Sequence, residues 1–420
     1  MKILFLTPDV PFPADQGAKI RNLALIRAAA AHHQVDLVSF GNGSSGRGSF
    51  ERGSFERGSS GHGSSGADPE GPLQKIVRRL AVVPAPPARP MLTRVWGLFF
   101  GTLPDLALRL ESAAFVDALQ EMVQGQRYDV VQIEGLEMMA YLPVVRALIP
   151  KAAVIYDAHN AEMSLQRSMF QVEFREPGRW HAAFYSFAQW SKLGSYERIT
   201  MNDSDMVLSV SEADLAKLRG RRTVPELVPN AVDPAAIEYR EPAQVAGRRL
   251  FFVGPADYRP NADAIRWFIA AVLPQLRKLL PDVELRLAGR GTERFTAPGV
   301  EGLGHVEDAH AELRRADAFV APIRMGGGTR FKILEAMAAG VPVVSTPLGV
   351  GGIAVESGQH ALVASSPQDF ARAVHRLLTD RPYARQLSEE ARRLVEARYA
   401  WNKVTPGYLR LLAQARRAAK

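Results

Sequence analysis

The sequence predicts an α/β protein made of two doubly wound halves, each with a parallel sheet, and three observations carry that prediction. Short apolar runs suited to strands alternate with stretches suited to helices. They fall at residues 2–6, 35–40, 128–133, 152–156 and 206–210, and again at 249–253, 284–288, 318–321 and 341–345. Near-continuous apolar runs separated by helices are what strands buried on both faces require. The length, 420 residues, exceeds the usual size of one domain. Finally, the run at 318–321 leads into Gly326, Gly327 and Gly328, then a helix-forming stretch from Thr329 to Ala339 that Gly340 ends.

That last segment has the layout of an anion site. Bare glycine backbone lets a ligand approach, and the unpaired N–H groups and positive end of a helix face it. Arg330 and Lys332 add two cations to the first turn, where the helix dipole disfavours them, so a compensating anion is expected. Glu335 lies three residues after Lys332 on the same face. A tight turn with solvated basic residues is the alternative reading.

The remaining elements follow in order. Lys2 and four apolar residues precede Thr7, Pro8 and Asp9, which reads as a first strand rather than a signal peptide. No apolar run approaches the ~20 residues that span a bilayer. The loop 8–17, which ends at Gly17, leads to a helix near Ala18. Residues 41–72 are almost wholly Gly, Ser, Arg, Glu and Pro, with Gly-Ser-Phe-Glu-Arg at 48–52 and 53–57. Such composition buries too little apolar surface to offset ordering, so a disordered insertion is expected. Residues 82–90 are proline-rich and read as extended. The apolar stretch 95–100 is expected to pack a short helix into the core, a membrane-surface contact being the other reading.

Tyr156-Asp-Ala-His-Asn-Ala-Glu162 follows a strand and so lies at its carboxyl edge, where open α/β sheets bind ligands. It offers His159, with Asp157 and Asn160 beside it. Asp203 and Asp205 read as capping rather than metal-binding. Val228-Pro-Asn-Ala-Val-Asp233 and the polar stretch that follows read as an interdomain linker. The expected division is 1–228 with the 41–72 insertion, a linker at 229–248, a second domain at 249–398 and a terminal helix at 399–420.

Composition narrows the function classes. Hydrophobic residues at 47% and charged residues at 23% fit a globular protein. The absence of cysteine excludes disulfides, thiolate metal sites and cysteine nucleophiles, and is compatible with a reducing cytoplasm. A net charge of +8 suits anionic partners such as nucleotide sugars or acidic phospholipids. Nucleic acid is disfavoured, because no aromatic-interleaved basic stretch or zinc-finger spacing accompanies the charge. Metalloprotease, P-loop and serine-hydrolase motifs are missing from the sequence.

The order Gly-Gly-Gly-Thr-Arg-Phe-Lys-Ile-Leu-Glu-Ala-Met-Ala-Ala-Gly-Val-Pro-Val-Val, from Gly326, resembles the donor-binding segment of family 4 glycosyltransferases. The resemblance implies the GT-B fold, two Rossmann-like domains facing across a cleft, and sugar transfer with retention from a nucleoside-diphosphate sugar. It also implies that Glu335 holds the donor ribose. Where the family often has a second Glu eight positions earlier, this chain has Gly327. The element at 157–162 resembles one in a branch of the family whose histidine contacts the transferred sugar, which implies that role for His159. After the strand at 249–253 many relatives carry an Arg and a Lys on the diphosphate. This chain has Arg259 and then Asn261, and Lys332 with Arg330 is expected to supply the missing charge.

The expected catalytic set is therefore His159, Arg259 and Lys332. The donor set is Gly17, Gly326, Gly327, Gly328, Thr329, Arg330 and Glu335, with no metal or cofactor. The terminal helix is implied to cross back onto the first domain. A lipid-linked or saccharide acceptor, a cytoplasmic location and peripheral contact with the inner membrane face complete the expectation. An epimerase on the same scaffold and a degenerate binding module are the rival readings.

Overall fold

The computed structural model describes residues 1–41, 71–175, 178, 180–218, 223–240 and 247–418. Most of the insertion expected at 41–72, and part of the linker expected at 229–248, lie outside them. Of the insertion's ends, Gly41 closes a strand and Gly71 opens a short helical turn.

The first lobe holds seven parallel strands: β1 (Lys2–Thr7), β2 (Gln34–Gly41), β3 (Arg79–Pro84), β4 (Val130–Glu134), β5 (Ala153–Ala158), β6 (Met206–Ser209) and β7 (Glu226–Leu227). Their order is β3-β2-β1-β4-β5-β6-β7. The second lobe holds β8 (Arg249–Val253), β9 (Glu284–Ala288), β10 (Val300–Gly304), β11 (Ala318–Ala321), β12 (Val343–Ser345) and β13 (Leu362–Val363), in the order β10-β9-β8-β11-β12-β13. The order in which the chain winds across each sheet reverses once, between β1 and β4 and between β8 and β11. The carboxyl ends at those reversals are where such sheets take ligands. This is the GT-B architecture that the sequence led us to expect.

Strands β4, β5, β6 and β11 are buried along their full length, as helices on both sheet faces require. The sequence reading found the central strands and missed β3, β7, β10 and β13. These lie at or near the sheet edges, where one side needs no apolar cover. Strand β3 is only partly buried and ends in a proline, and β10 carries two glycines among five residues.

The helix Trp401–Ala418 belongs to the core of the first lobe. Val404, Tyr408, Leu412 and Ala415 recur at helical spacing and pack with β1, β4 and β5. The Tyr408 hydroxyl donates to Gln132 Oε1 at 2.7 Å. The chain thus crosses between lobes at two places, and the crossings are bonded to each other. Val232 N donates to Tyr399 O (2.9 Å) and Trp401 N donates to Val232 O (3.1 Å).

The expectation of core packing for the 95–100 stretch is corrected. The helix Met91–Phe100 has no buried residue. Lys192 holds it to the lobe by donating from Nζ to the carbonyls of Gly97 (2.7 Å) and Leu98 (2.8 Å), and its apolar side chains face outward. Asp205 is not a helix cap either. Its carboxylate accepts from Val154 N at 2.7 Å and pairs with Arg146 at 3.0 Å.

Candidate active site between the lobes

A cleft of about 300 Å³ lies between the sheet ends, lined from the first lobe by Gly17, Arg21, His159 and Glu162 and from the second by Arg259 and Arg330, among others. That volume is at the lower end for small-molecule sites.

On the first lobe, β4 and β5 deliver their last residues to the cleft. Asp157 is fully buried and gripped at both oxygens by Arg21, at 2.7 Å from Nε and 2.8 Å from Nη2. Arg21 also donates from Nη1 to Val228 O (2.8 Å) and Asn230 Oδ1 (3.2 Å), tying the start of the linker to the site. His159 Nε2 lies 3.0 Å from Glu134 Oε2 and 3.9 Å from Asp157 Oδ2. Burial, and then the charge of Asp157, pushes Glu134 up to about 7. Burial works against the charged form of His159, but the bond to Glu134 and the charge of Asp157 outweigh it and raise its pKa. Burial likewise opposes ionisation of Asp157, and Arg21 outweighs it, holding that carboxyl below its usual range.

Glu134, Asp157 and His159 each offer a ligand atom within 4.8 Å of the others, the metal-compatible cluster among the described residues. Arg21 already covers both oxygens of Asp157, and His159 pairs with Glu134. The cluster reads as a completed ion-pair network.

Beside it, Arg109 pairs with Glu137 at 2.7 Å. Burial, and then the charge of Glu137, pushes Glu162 up to about 7. Asn160 Nδ2 donates to Glu162 Oε1 at 3.1 Å.

The second lobe contributes the glycine loop, but in a different way from the one expected. The helix opens at Phe331 rather than Thr329 and runs to Ala338. Gly326 N donates to Ser168 Oγ (3.2 Å), and Gly328 N donates to Asp214 Oδ2 (3.1 Å). The Thr329 hydroxyl donates to Val210 O at 2.9 Å. These three groups, expected to face an anion, instead clasp the first lobe. Glycine is needed here for close approach. A Cβ on Gly328 would meet Asn160 Oδ1 at 2.7 Å, with φ at +67°, and one on Gly17 would meet the Phe331 ring at 2.9 Å. Gly327 keeps its place on the cleft wall.

The cations are unevenly partnered. Arg330 donates from Nη1 to Gly327 O, while its Nε and Nη2 are buried without a hydrogen-bond partner. Lys332 donates from Nζ to Asn261 Oδ1 (2.9 Å) and lies 4.4 Å from the centre of the Phe252 ring. Burial, and then the charge of Arg330, pushes Lys332 down to about 7. Asn261, where the resemblance implies a lysine, therefore orients Lys332 instead.

Arg259, expected on the diphosphate, is buried in the first turn of its helix and forms an ion pair with Glu173 of the first lobe. Lys332 and Glu335 lie on the helix behind Arg330 and not on the cleft wall. Glu335 is 3.8 Å from His310 Nε2, and its bond raises the pKa of that imidazole.

Sequence reasoning missed Glu134, Arg109, Glu173 and Asp214. Glu134 had a usable signal, as the one ionisable residue ending a central apolar strand. Glu173 and Asp214 acquire their roles only when the lobes meet.

The chain matches known families over both lobes. Residues 16–231 match the family model "Glycosyl transferase 4-like domain", and residues 247–380 match "Glycosyl transferases group 1". A glycogen synthase of Mycobacterium tuberculosis is 28% identical over 267 residues, covering 58% of this chain and 62% of that protein, under two thirds of its length. A phosphatidyl-myo-inositol mannosyltransferase of Mycolicibacterium smegmatis is 35% identical over 133 residues, 29% of this chain and 34% of that one. Anabaena HepE, solved in complex with UDP, superposes with a TM-score of 0.65 at 14% identity, covering 99% of this chain and 100% of that chain. With both lobes matched in chain order on the two-sheet frame described above, the chain belongs to the family 4 glycosyltransferases of the GT-B fold.

Proposed function

We propose that the protein transfers a sugar from a nucleoside-diphosphate donor to an acceptor bound across the cleft, with retention and without a metal ion. The observation that carries this is the Arg330 guanidinium at the cleft wall. Two of its donors are buried without partners, and it lies close enough to Lys332 to help hold that ammonium near 7. Two neighbouring buried cations, Arg330 on the cleft wall and Lys332 behind it, lack the anion that would balance them, and a diphosphate supplies it. HepE, bound to UDP in its crystal, is similar in fold.

In this reading Arg259, Arg330 and Lys332 neutralise the charge that grows on the departing diphosphate. Glu335 fixes the ribose, and Gly17 and Gly327 allow close approach. His159, held by Glu134, orients the sugar from the opposite lobe. The glycosidic carbon loses its bond to the diphosphate oxygen and gains one to the acceptor oxygen, and the acceptor proton leaves with the diphosphate. The clasp between the glycine loop and the first lobe excludes water, limiting donor hydrolysis.

A panel of nucleotide sugars tested by thermal shift reads the donor directly. We expect one to raise the midpoint, with the shift reduced in Glu335→Ala. No shift from any member would overturn the reading in favour of a degenerate module. Isomerised sugar appearing without acceptor would overturn it in favour of an epimerase.

A further inference from the structure

Helix Met91–Phe100 is an anomaly. Met91, Leu92, Trp96, Phe99 and Phe100 are each more than 60% exposed, and contiguous exposed apolar side chains of this kind mark interaction surfaces. The patch extends beyond the helix. Trp96 and Phe100 lie 4.8 Å apart, and Phe99 reaches Phe184, at 6.0 Å, on the long helix Trp180–Asp203. Phe187, one turn on, is half exposed and lies 5.5 Å from Phe170, which in turn approaches the exposed Phe174 at 5.6 Å. Three helices of the first lobe thus share one aromatic face.

The charge around this face is one-sided. Residues 71–110 carry six basic residues and a single acidic one, Asp105. Arg89 and Arg94 cover that carboxylate, at 2.8 and 3.3 Å. Residues 180–196 contain no Asp or Glu. Arg78 and Arg109 pair with Asp36 and Glu137, so the net positive charge beside the rings comes from Arg89 and Arg94 over one carboxylate and from Lys192, which donates to neutral carbonyls. Exposed aromatic rings beside a net positive charge are the composition of a helix lying in a headgroup layer. A second copy of the chain would bring like charge against like.

The face also leads to the cleft. The segment after the helix places Leu106 and Arg109 on the cleft wall, and helix Glu162–Phe174 turns Leu165 and Met169 to the cleft while Phe170 and Phe174 join the patch.

We propose that this aromatic, basic face docks on the surface of a bilayer containing anionic lipids, and that the acceptor is carried in that bilayer. The second half rests on the sugar-transfer reading, whereas the docking does not. Lys192 holds the helix in place before docking, which lowers the backbone ordering cost of presenting the rings.

The test is flotation of the full chain with vesicles of equimolar phosphatidylglycerol and phosphatidylcholine, against vesicles of phosphatidylcholine alone. We expect binding to the anionic vesicles, weakened by raised salt. The Trp96→Ser/Phe99→Ser/Phe100→Ser variant should bind about tenfold or more weakly. Its thermal midpoint should be unchanged, because the rings are already exposed. Equal flotation of variant and wild type, or no flotation of either, would overturn the proposal. So would a wild-type dimer that the variant turns into monomer, which would make the face a contact between copies. Failure of the nucleotide-sugar panel would leave the vesicle result standing, so the two readings fail separately.

Discussion

The two walls of the cleft differ in chemistry and in how complete they are. On the first lobe, Arg21, Asp157, Glu134 and His159 satisfy one another. On the second, Arg330 keeps two buried donors without acceptors, and behind it, off the wall itself, Lys332 is held near 7 with a neutral oxygen as its hydrogen-bond partner. Buried charge is tolerated only when paired, so the unpaired wall is the one arranged for a charged ligand. The paired wall is arranged to hold its shape.

Arg21→Ala strikes that contrast where the effect is largest. Removing the guanidinium strands the Asp157 carboxylate in the core and should cost about 3–5 kcal/mol, measured by chemical denaturation. Arg330→Met should cost little or nothing in the same measurement. A large loss there would mean that the second wall is as complete as the first.

Lys332→Met comes next, lowering donor affinity by about 1.5–3 kcal/mol, the range for hydrogen bonds to charged groups, as read by calorimetry. The pH dependence follows from the same group. Burial, and then Arg330, pushes Lys332 down to about 7 in the unliganded protein, and a bound diphosphate should raise that value. Below about 7 the ammonium is already charged and affinity is level. Above it, binding must take up a proton, so affinity falls until the raised value in the complex is passed. Calorimetry in buffers of different ionisation enthalpy reads that uptake, and Lys332→Met should abolish it.

His159→Ala tests whether the paired wall acts in the reaction or only supports it. We expect turnover to fall about tenfold or more with donor affinity little changed. A fall in affinity alone would make His159 a structural member of the network.

The smallest contrast lies within the glycine loop. Gly328→Ala meets Asn160 Oδ1 at 2.7 Å in a left-handed conformation, a strain of about 1–3 kcal/mol. It should loosen the clasp and raise KM. Gly327→Ala meets nothing closer than 3.7 Å and should be near neutral.

The sequence by itself determined the central strands, the two lobes and the neighbourhood of the site. Strands buried on both faces must be written as apolar runs, and three glycines before a basic helix mark a place where the backbone comes close to a partner, here the first lobe. Gly17, His159, Arg259 and Arg330 all come to the cleft as that pattern suggested. What only the tertiary structure decided is which polar group meets which. Ser168 and Asp214 occupy the glycine amides, Glu173 holds Arg259, and Asn261 steers Lys332, in each case over 70 or more residues of chain. Helical and strand periods report which face of an element is buried, because burial repeats along the chain. Hydrogen-bond partners carry no such period, since they depend on where two distant elements happen to meet.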